Sequence, residues 1–179
     1  MSDRILVFPE EQIAARVREL GARARADYER ILAPGEQLLA IGVLNGAFIF
    51  MADLVRAMGG LPVEVDFVRL SSYQDRDTSS SEVVMTKNIE KDIKGRHVLV
   101  VEDIADAGLT LDWLIEFLNK RGPASLRIAV VVDKLARRET RVPLDYVGFT
   151  LHDGFLIGYG LDFAERYRAL PAIYELATR

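Results

Sequence analysis

Short apolar runs alternate along this chain with segments of helical period, and few architectures accommodate that order. Leu38 to Leu44, Val63 to Val68, His97 to Val101, Leu126 to Val132 and Tyr146 to Leu151 read as strands, with Val83 to Met85 as a further one. Ala47 to Met58 and Thr110 to Lys120 read as helices between them. After Pro9, the residues Ile13, Val17, Leu20, Ala24 and Tyr28 recur at three- and four-residue spacing, the stripe of an amphipathic helix running toward Pro34-Gly35. Strands that are apolar throughout need cover on both faces. The pattern therefore predicts an α/β fold with a mainly parallel, twisted sheet flanked by helices. A chain of 179 residues without repeats or a linker suits one domain. Ligands of such sheets bind beyond the carboxyl ends of the strands, which directs attention to the residues just after each apolar run.

One strand end stands out. In Val98 to Leu114, VLVVEDIADAGLTLDWL, an apolar strand runs into Glu102-Asp103, and a short link carrying Asp106 and Gly108 leads to a helix opening at Thr110. Gly108 allows backbone N–H groups to approach an anion, Thr110 offers a hydroxyl, and a helix N-terminus favours phosphate. Phosphate alone gives no reason for three carboxylates beside it. A ligand that also presents hydroxyls and a hard cation such as Mg²⁺ does, because that cation prefers oxygen ligands. A sugar phosphate bearing a second, metal-bound phosphate group satisfies both halves of the segment. Read one at a time, Asp106 or Thr110 could equally cap the helix.

Other chemistries lack their residues. There are no cysteines, which removes disulfides and thiolate metal sites. His97 and His152, the only histidines, stand apart from each other and from any triad pattern and read as structural. Ser79 to Ser81 has no nucleophile elbow, and there is neither a Walker lysine pattern nor a GxGxxG. A net charge of -4 gives no electrostatic reason to expect nucleic acid. No run approaches the roughly 18 apolar residues of a membrane helix, and MSDRILVFPEEQ lacks a secretory leader's basic start, so a cytoplasmic protein is expected.

EDIADAGLTL resembles the phosphoribosyl-pyrophosphate motif of type I phosphoribosyltransferases: two acids, two apolar residues, then Asp-Thr/Ser-Gly. LNGAFIFMADL, EVDFVRLSSY, DKLARRE and VGFTLHDGFLIGYGLDFAERYRALP extend the resemblance to the hypoxanthine-guanine phosphoribosyltransferases along nearly the whole chain. The resemblance implies a core over roughly residues 36–150, with a hood formed by the N-terminal segment and roughly 151–179. It implies transfer of phosphoribosyl from 5-phosphoribosyl 1-pyrophosphate to a 6-oxopurine, Mg²⁺ as cofactor, and a homodimer or homotetramer.

Residue by residue, the resemblance assigns Glu102 and Asp103 to the ribose hydroxyls and Mg²⁺, with Asp162 as a second metal-associated acid that also borders the base. Asp106 matches the residue that manages the proton on purine N7, and Asp106, Ala107, Gly108, Leu109 and Thr110 the loop around the 5′-phosphate. Leu44, Asn45 and Gly46 match a pyrophosphate loop that often carries a non-proline cis peptide, and Arg168 an arginine on the same group. Lys134 matches the donor to the 6-oxo group, Phe155 the stacking aromatic, and Leu156 a backbone contact to the ring edge. Ser72, Tyr73 and the polar stretch Gln74 to Ser81 match a flexible loop that closes over the reaction centre.

Three positions depart from the pattern. Ala107 lacks the usual hydroxyl, a loss of about 0.5–1.5 kcal/mol, and Leu109 and Asn45 stand where polar or basic residues are common. These departures are the only support for one alternative, a non-catalytic regulator that senses nucleotides on the same fold; a related transferase preferring xanthine is another, its preference depending on contacts around Leu156 and Asp162.

Overall fold

The computed structural model describes residues 4–74 and 81–177. Its elements run β1 (Arg4–Phe8), α1 (Glu10–Glu29), β2 (Leu38–Leu44), α2 (Phe48–Ala57), β3 (Val63–Gln74), β4 (Ser81–Lys87), β5 (His97–Ala105), α3 (Leu109–Asn119), β6 (Ser125–Lys134), β7 (Tyr146–Leu151), β8 (Leu156–Ile157) and β9 (Ile173–Leu176). Six strands form the central sheet in the order β4-β3-β2-β5-β6-β7. Every pairing in it is parallel except that of β3 with β4, so the expected mainly parallel sheet is present.

Alternation within the central strands explains the layers. Leu38 and Ala40 of β2 and Leu99 and Val101 of β5 enter one core cluster with Val17, Leu20, Phe50 and Leu54 of α1 and α2. Their neighbours Leu39, Ile41, Val98 and Val100 enter a second cluster with Leu111, Leu114 and Leu118 of α3. Successive strand residues point to opposite faces, so a run without polar positions is what two covered faces require. Helices α1 and α2 cross at Gly21, where a Cβ would stand 2.4 Å from the Cβ of Ala57. Only glycine permits that approach.

Three differences from the sequence expectations matter. Helix α1 stops at Glu29, before Pro34-Gly35, because the N–H groups of Ile31 and Leu32 both turn back to the Tyr28 carbonyl. Strand β5 continues past Val101 to Ala105, since its ladder with β6 still pairs Ile104 with Val132 and Ala105 with Asp133. Strand β3 runs through Ser72 and Tyr73, paired with Val83 and Glu82 of β4. Those two residues therefore sit in a hairpin arm rather than a loop, and residues 75–80 of the expected loop lie outside the described residues.

A second, three-stranded antiparallel sheet is ordered β1-β9-β8, and a cavity that it shares with Asp103, Asp106 and Lys134 through Phe155, Leu156 and Glu175 puts it as a hood at the carboxyl ends of the central strands. Of the N-terminal segment only β1 joins it, because α1 packs against α2 and β7. No described helix is long and apolar enough to cross a membrane.

Candidate active site

Because β5 pairs with β2 on one side and β6 on the other, the ends of these three strands lie together under the hood. β2 delivers Leu44-Asn45-Gly46, with a cis peptide bond between Leu44 and Asn45. β5 delivers the acids and β6 delivers Lys134. The fit is close: a Cβ on Gly46 would fall 1.6 Å from Oδ2 of Asp103, and one on Gly160 of the hood 2.1 Å from the Gly46 carbonyl oxygen. Glycine at both places lets the loop, the acid and the hood touch.

Glu102 and Asp103 are strand residues, with the Asp103 N–H donating to Oε1 of Glu102 at 3.0 Å. Burial, and then the charge of Asp103 beside it, push the Glu102 carboxyl well above its ordinary pKa. Burial likewise raises Asp103, although Glu102, the Ile104 N–H and Arg168 pull the other way. Two desolvated carboxylates side by side form a site short of positive charge. A Mg²⁺ ion would fit here. It takes hard oxygen ligands, and it commonly rests on one or two carboxylates together with substrate phosphates and water. Asp162 is not gathered with this pair. Its Oδ1 meets Nη2 of Arg168 at 2.9 Å and its Oδ2 accepts the Glu165 N–H at 2.8 Å, so both oxygens are engaged within the hood. Among the described residues no three acid or histidine side chains are grouped to hold a metal.

Asp106, Ala107 and Gly108 form the turn between β5 and α3, and Leu109 and Thr110 are the first residues of that helix. Gly108 has φ 89°, in the left-handed region where a side chain is strained, and a Cβ there would be 2.4 Å from the Thr140 carbonyl oxygen. The first-turn N–H groups of α3 follow directly on this turn.

Next to this turn lies a cavity of about 610 Å³ lined by Asp103, Asp106, Lys134, Phe155, Leu156 and Asp162 among others. Lys134 is buried, with Nζ 3.2 Å from Oδ2 of Asp106 and 3.5 Å from Oδ1 of Asp153. Oδ1 of Asp106 is buried without a partner among the described residues. Phe155 keeps 44% of its surface exposed and meets Phe163 edge-on, with ring centroids 5.4 Å apart. Arg168 also donates from Nη1 to the carbonyl of Gly160, the hood residue that lies against Gly46, at 2.9 Å.

The structure therefore brings Leu44 to Gly46, Glu102, Asp103, Asp106, Lys134, Phe155, Leu156 and the Asp162–Arg168 pair to one end of the sheet. Sequence reasoning missed Asp153 beside Lys134, and Asp133 and Arg138 behind the Asp106 turn. Their only signal was membership of the DKLARRE and LHDGF blocks, which assigns no individual role.

A family model described as phosphoribosyl transferase domain matches residues 8–164. The hypoxanthine phosphoribosyltransferase of Haemophilus influenzae is 45% identical over 168 residues, 94% of this chain and 92% of that protein. The hypoxanthine-guanine phosphoribosyltransferase of Bacillus subtilis is 42% identical over 168 residues, covering 94% of this chain and 90% of that one. Among solved structures, the hypoxanthine phosphoribosyltransferase of Trypanosoma cruzi in a ternary substrates complex superposes with a TM-score of 0.91 at 40% identity, covering 98% of this chain and 96% of that one.

Proposed function

The chain belongs to the phosphoribosyltransferase family, and we propose that it is a purine salvage enzyme joining hypoxanthine or guanine to 5-phosphoribosyl 1-pyrophosphate. The products are IMP or GMP and pyrophosphate. One observation carries the reading furthest: a buried lysine and a carboxylate share a cavity with an exposed aromatic face, beside an acid pair and a glycine turn that opens a helix. A 6-oxopurine needs a donor at its oxygen, an acceptor near N7 and a flat apolar surface. A ribose 5-phosphate needs an anion cradle and acceptors for its hydroxyls.

In the reaction the C1′–oxygen bond to pyrophosphate breaks, N9 of the base bonds to C1′ from the opposite face, and the base gives up its N7 proton. Lys134 donates to the 6-oxo group and Phe155 stacks on the ring. Asp106 accepts the proton, for which its unpartnered Oδ1 supports the role while Oδ2 stays on Lys134. Glu102 and Asp103 hold the ribose hydroxyls, and their negative charge favours the positive charge that builds on the ring. The N–H groups of the Asp106–Gly108 turn and the α3 terminus take the 5′-phosphate. The Leu44–Gly46 backbone lies on the pyrophosphate side, with Arg168 close behind it. Mg²⁺, when bound by Glu102 and Asp103, supplies positive charge to the leaving pyrophosphate.

Product formation with hypoxanthine, guanine, xanthine and adenine, with and without Mg²⁺, tests the proposal. Magnesium-dependent turnover of a 6-oxopurine and none of adenine is expected. A folded protein that turns over no base overturns it, and a marked preference for xanthine shifts the substrate.

A further inference from the structure

Three consecutive carbonyls of the Ala105–Ala107 segment face one neighbour. Arg138 donates from Nη2 to the Ala105 oxygen at 2.9 Å and from Nε to the Asp106 oxygen at 2.9 Å. The N–H groups of Glu139 and Thr140 donate to the Ala107 oxygen at 2.9 and 3.1 Å. These peptide units are trans, and a trans unit points its carbonyl and N–H in opposite directions. The N–H groups of Asp106, Ala107 and Gly108 are consequently turned away from residues 138–140. None of the three donates to an acceptor among the described residues. A row of free N–H groups running into a helix N-terminus is an anion-binding concavity.

The strap that creates this row is itself anchored. Arg138 forms an ion pair with Asp133 and donates to the Lys134 carbonyl at 3.0 Å. The two side chains are only 16% and 18% exposed, so solvent screens the pair weakly. A planar guanidinium can reach several acceptors in fixed directions, which a lysine ammonium does not reproduce. With alanine at 107, backbone donors carry the load that a side-chain hydroxyl would share.

We propose that Arg138, with Asp133 as its counter-ion, is a positioning residue that aims the N–H groups of Asp106, Ala107 and Gly108 at the substrate's 5′-phosphate. The assignment rests on the phosphoribosyltransferase reading of the site. Binding of IMP and of inosine, which differ only in the phosphate, isolates the effect from turnover. Titration calorimetry on the intact protein is expected to show wild type binding IMP more tightly than inosine. Arg138→Gln weakens IMP by about tenfold or more, the scale of one lost charge-assisted contact, and inosine by less than about threefold. Arg138→Lys falls between the two. Equal losses for both ligands, or none, overturn the inference. If Arg138→Gln does not fold, Asp133→Asn decides by the same comparison: a loss confined to IMP supports the strap, and an unselective or absent loss overturns it. A wild type that binds IMP no better than inosine rejects the site reading along with the strap, whereas a phosphate preference unchanged in the variants rejects the strap alone.

Discussion

Replacing Gly46 with alanine adds one methyl group at the most crowded point of the site. The new Cβ would lie 1.6 Å from Oδ2 of Asp103, whereas ordinary contact needs about 3.5 Å. Either the carboxylate or the loop must therefore retreat by about 2 Å. The carboxylate ends a side chain that can rotate, so the fold tolerates the change at about 1–3 kcal/mol, the usual range for overpacking. Tm should fall by about 2–4 °C for each of those kcal/mol. Catalysis has no such latitude, because a misplacement of about 1 Å in a reacting constellation already costs about a hundredfold. Steady-state kcat/KM for phosphoribosyl pyrophosphate is expected to drop by about a hundredfold or more, far beyond the loss of folded protein. Gly35→Ala is the control. Gly35 has φ 87° with nothing within 4 Å of an added Cβ, so it costs roughly 1–2 kcal/mol of backbone strain and leaves kcat/KM alone. A Gly46→Ala enzyme within about threefold of wild type would refute the claim that Asp103 is held by contact with this loop.

Asp106→Asn should lower kcat by about 10²–10⁴-fold with Tm little changed, and a loss under about threefold removes Asp106 as the proton acceptor. Asp66, buried in β3, accepts N–H bonds from Phe67, Glu90 and Lys91. Burial raises its pKa, but those bonds and Lys87 outweigh burial and hold it below the ordinary value. Its stabilising effect is therefore complete above the unfolded value of about 3.9 and lost as pH falls through the lower folded value. Urea unfolding of Asp66→Asn should show a deficit of about 1–3 kcal/mol at pH 7 that shrinks below roughly pH 4, and a pH-independent deficit contradicts this. Leu114→Ala, in the core between α3 and the sheet, should cost about 2–5 kcal/mol in thermal unfolding while kcat per folded molecule holds.

Sequence and structure agree best where one physical rule acts alone. β2 and β7 have the expected ends because an apolar run bounded by turn residues states its own limits. β5 does not, because Glu102 and Asp103 look like a strand's end until the ladder to β6 is known. The hood strands β1, β8 and β9, of 5, 2 and 4 residues, are too short for a period to register. The acids and the glycine turn were legible because they lie within one stretch of chain. Arg138 was not, since its meaning comes from two carbonyls more than thirty positions upstream and at hand only after folding. The Asp162–Arg168 pairing was hidden for a different reason: sequence supplies both charges and says nothing about which partner each selects.

The hood joins residues from opposite ends of the chain, pairing Arg4 with Leu176 and Leu6 with Tyr174. Closing so long a loop is costly before any contact rewards it, so this sheet should assemble after the central one. It should also be the first part to open, as local unfolding follows the regions with least buried apolar contact. Such an opening divides the cavity unevenly. Phe155 and Leu156 leave with the hood, while the acid pair, Lys134 and the Asp106–Gly108 turn stay on the sheet. Amide exchange should therefore find two lifetimes within one site, a short one around Phe155 and Leu156, proposed to grip the base, and a long one around the acid pair and the Asp106–Gly108 turn, proposed to hold the sugar phosphate. A bound nucleotide could then loosen from its base end first while its phosphate remains seated.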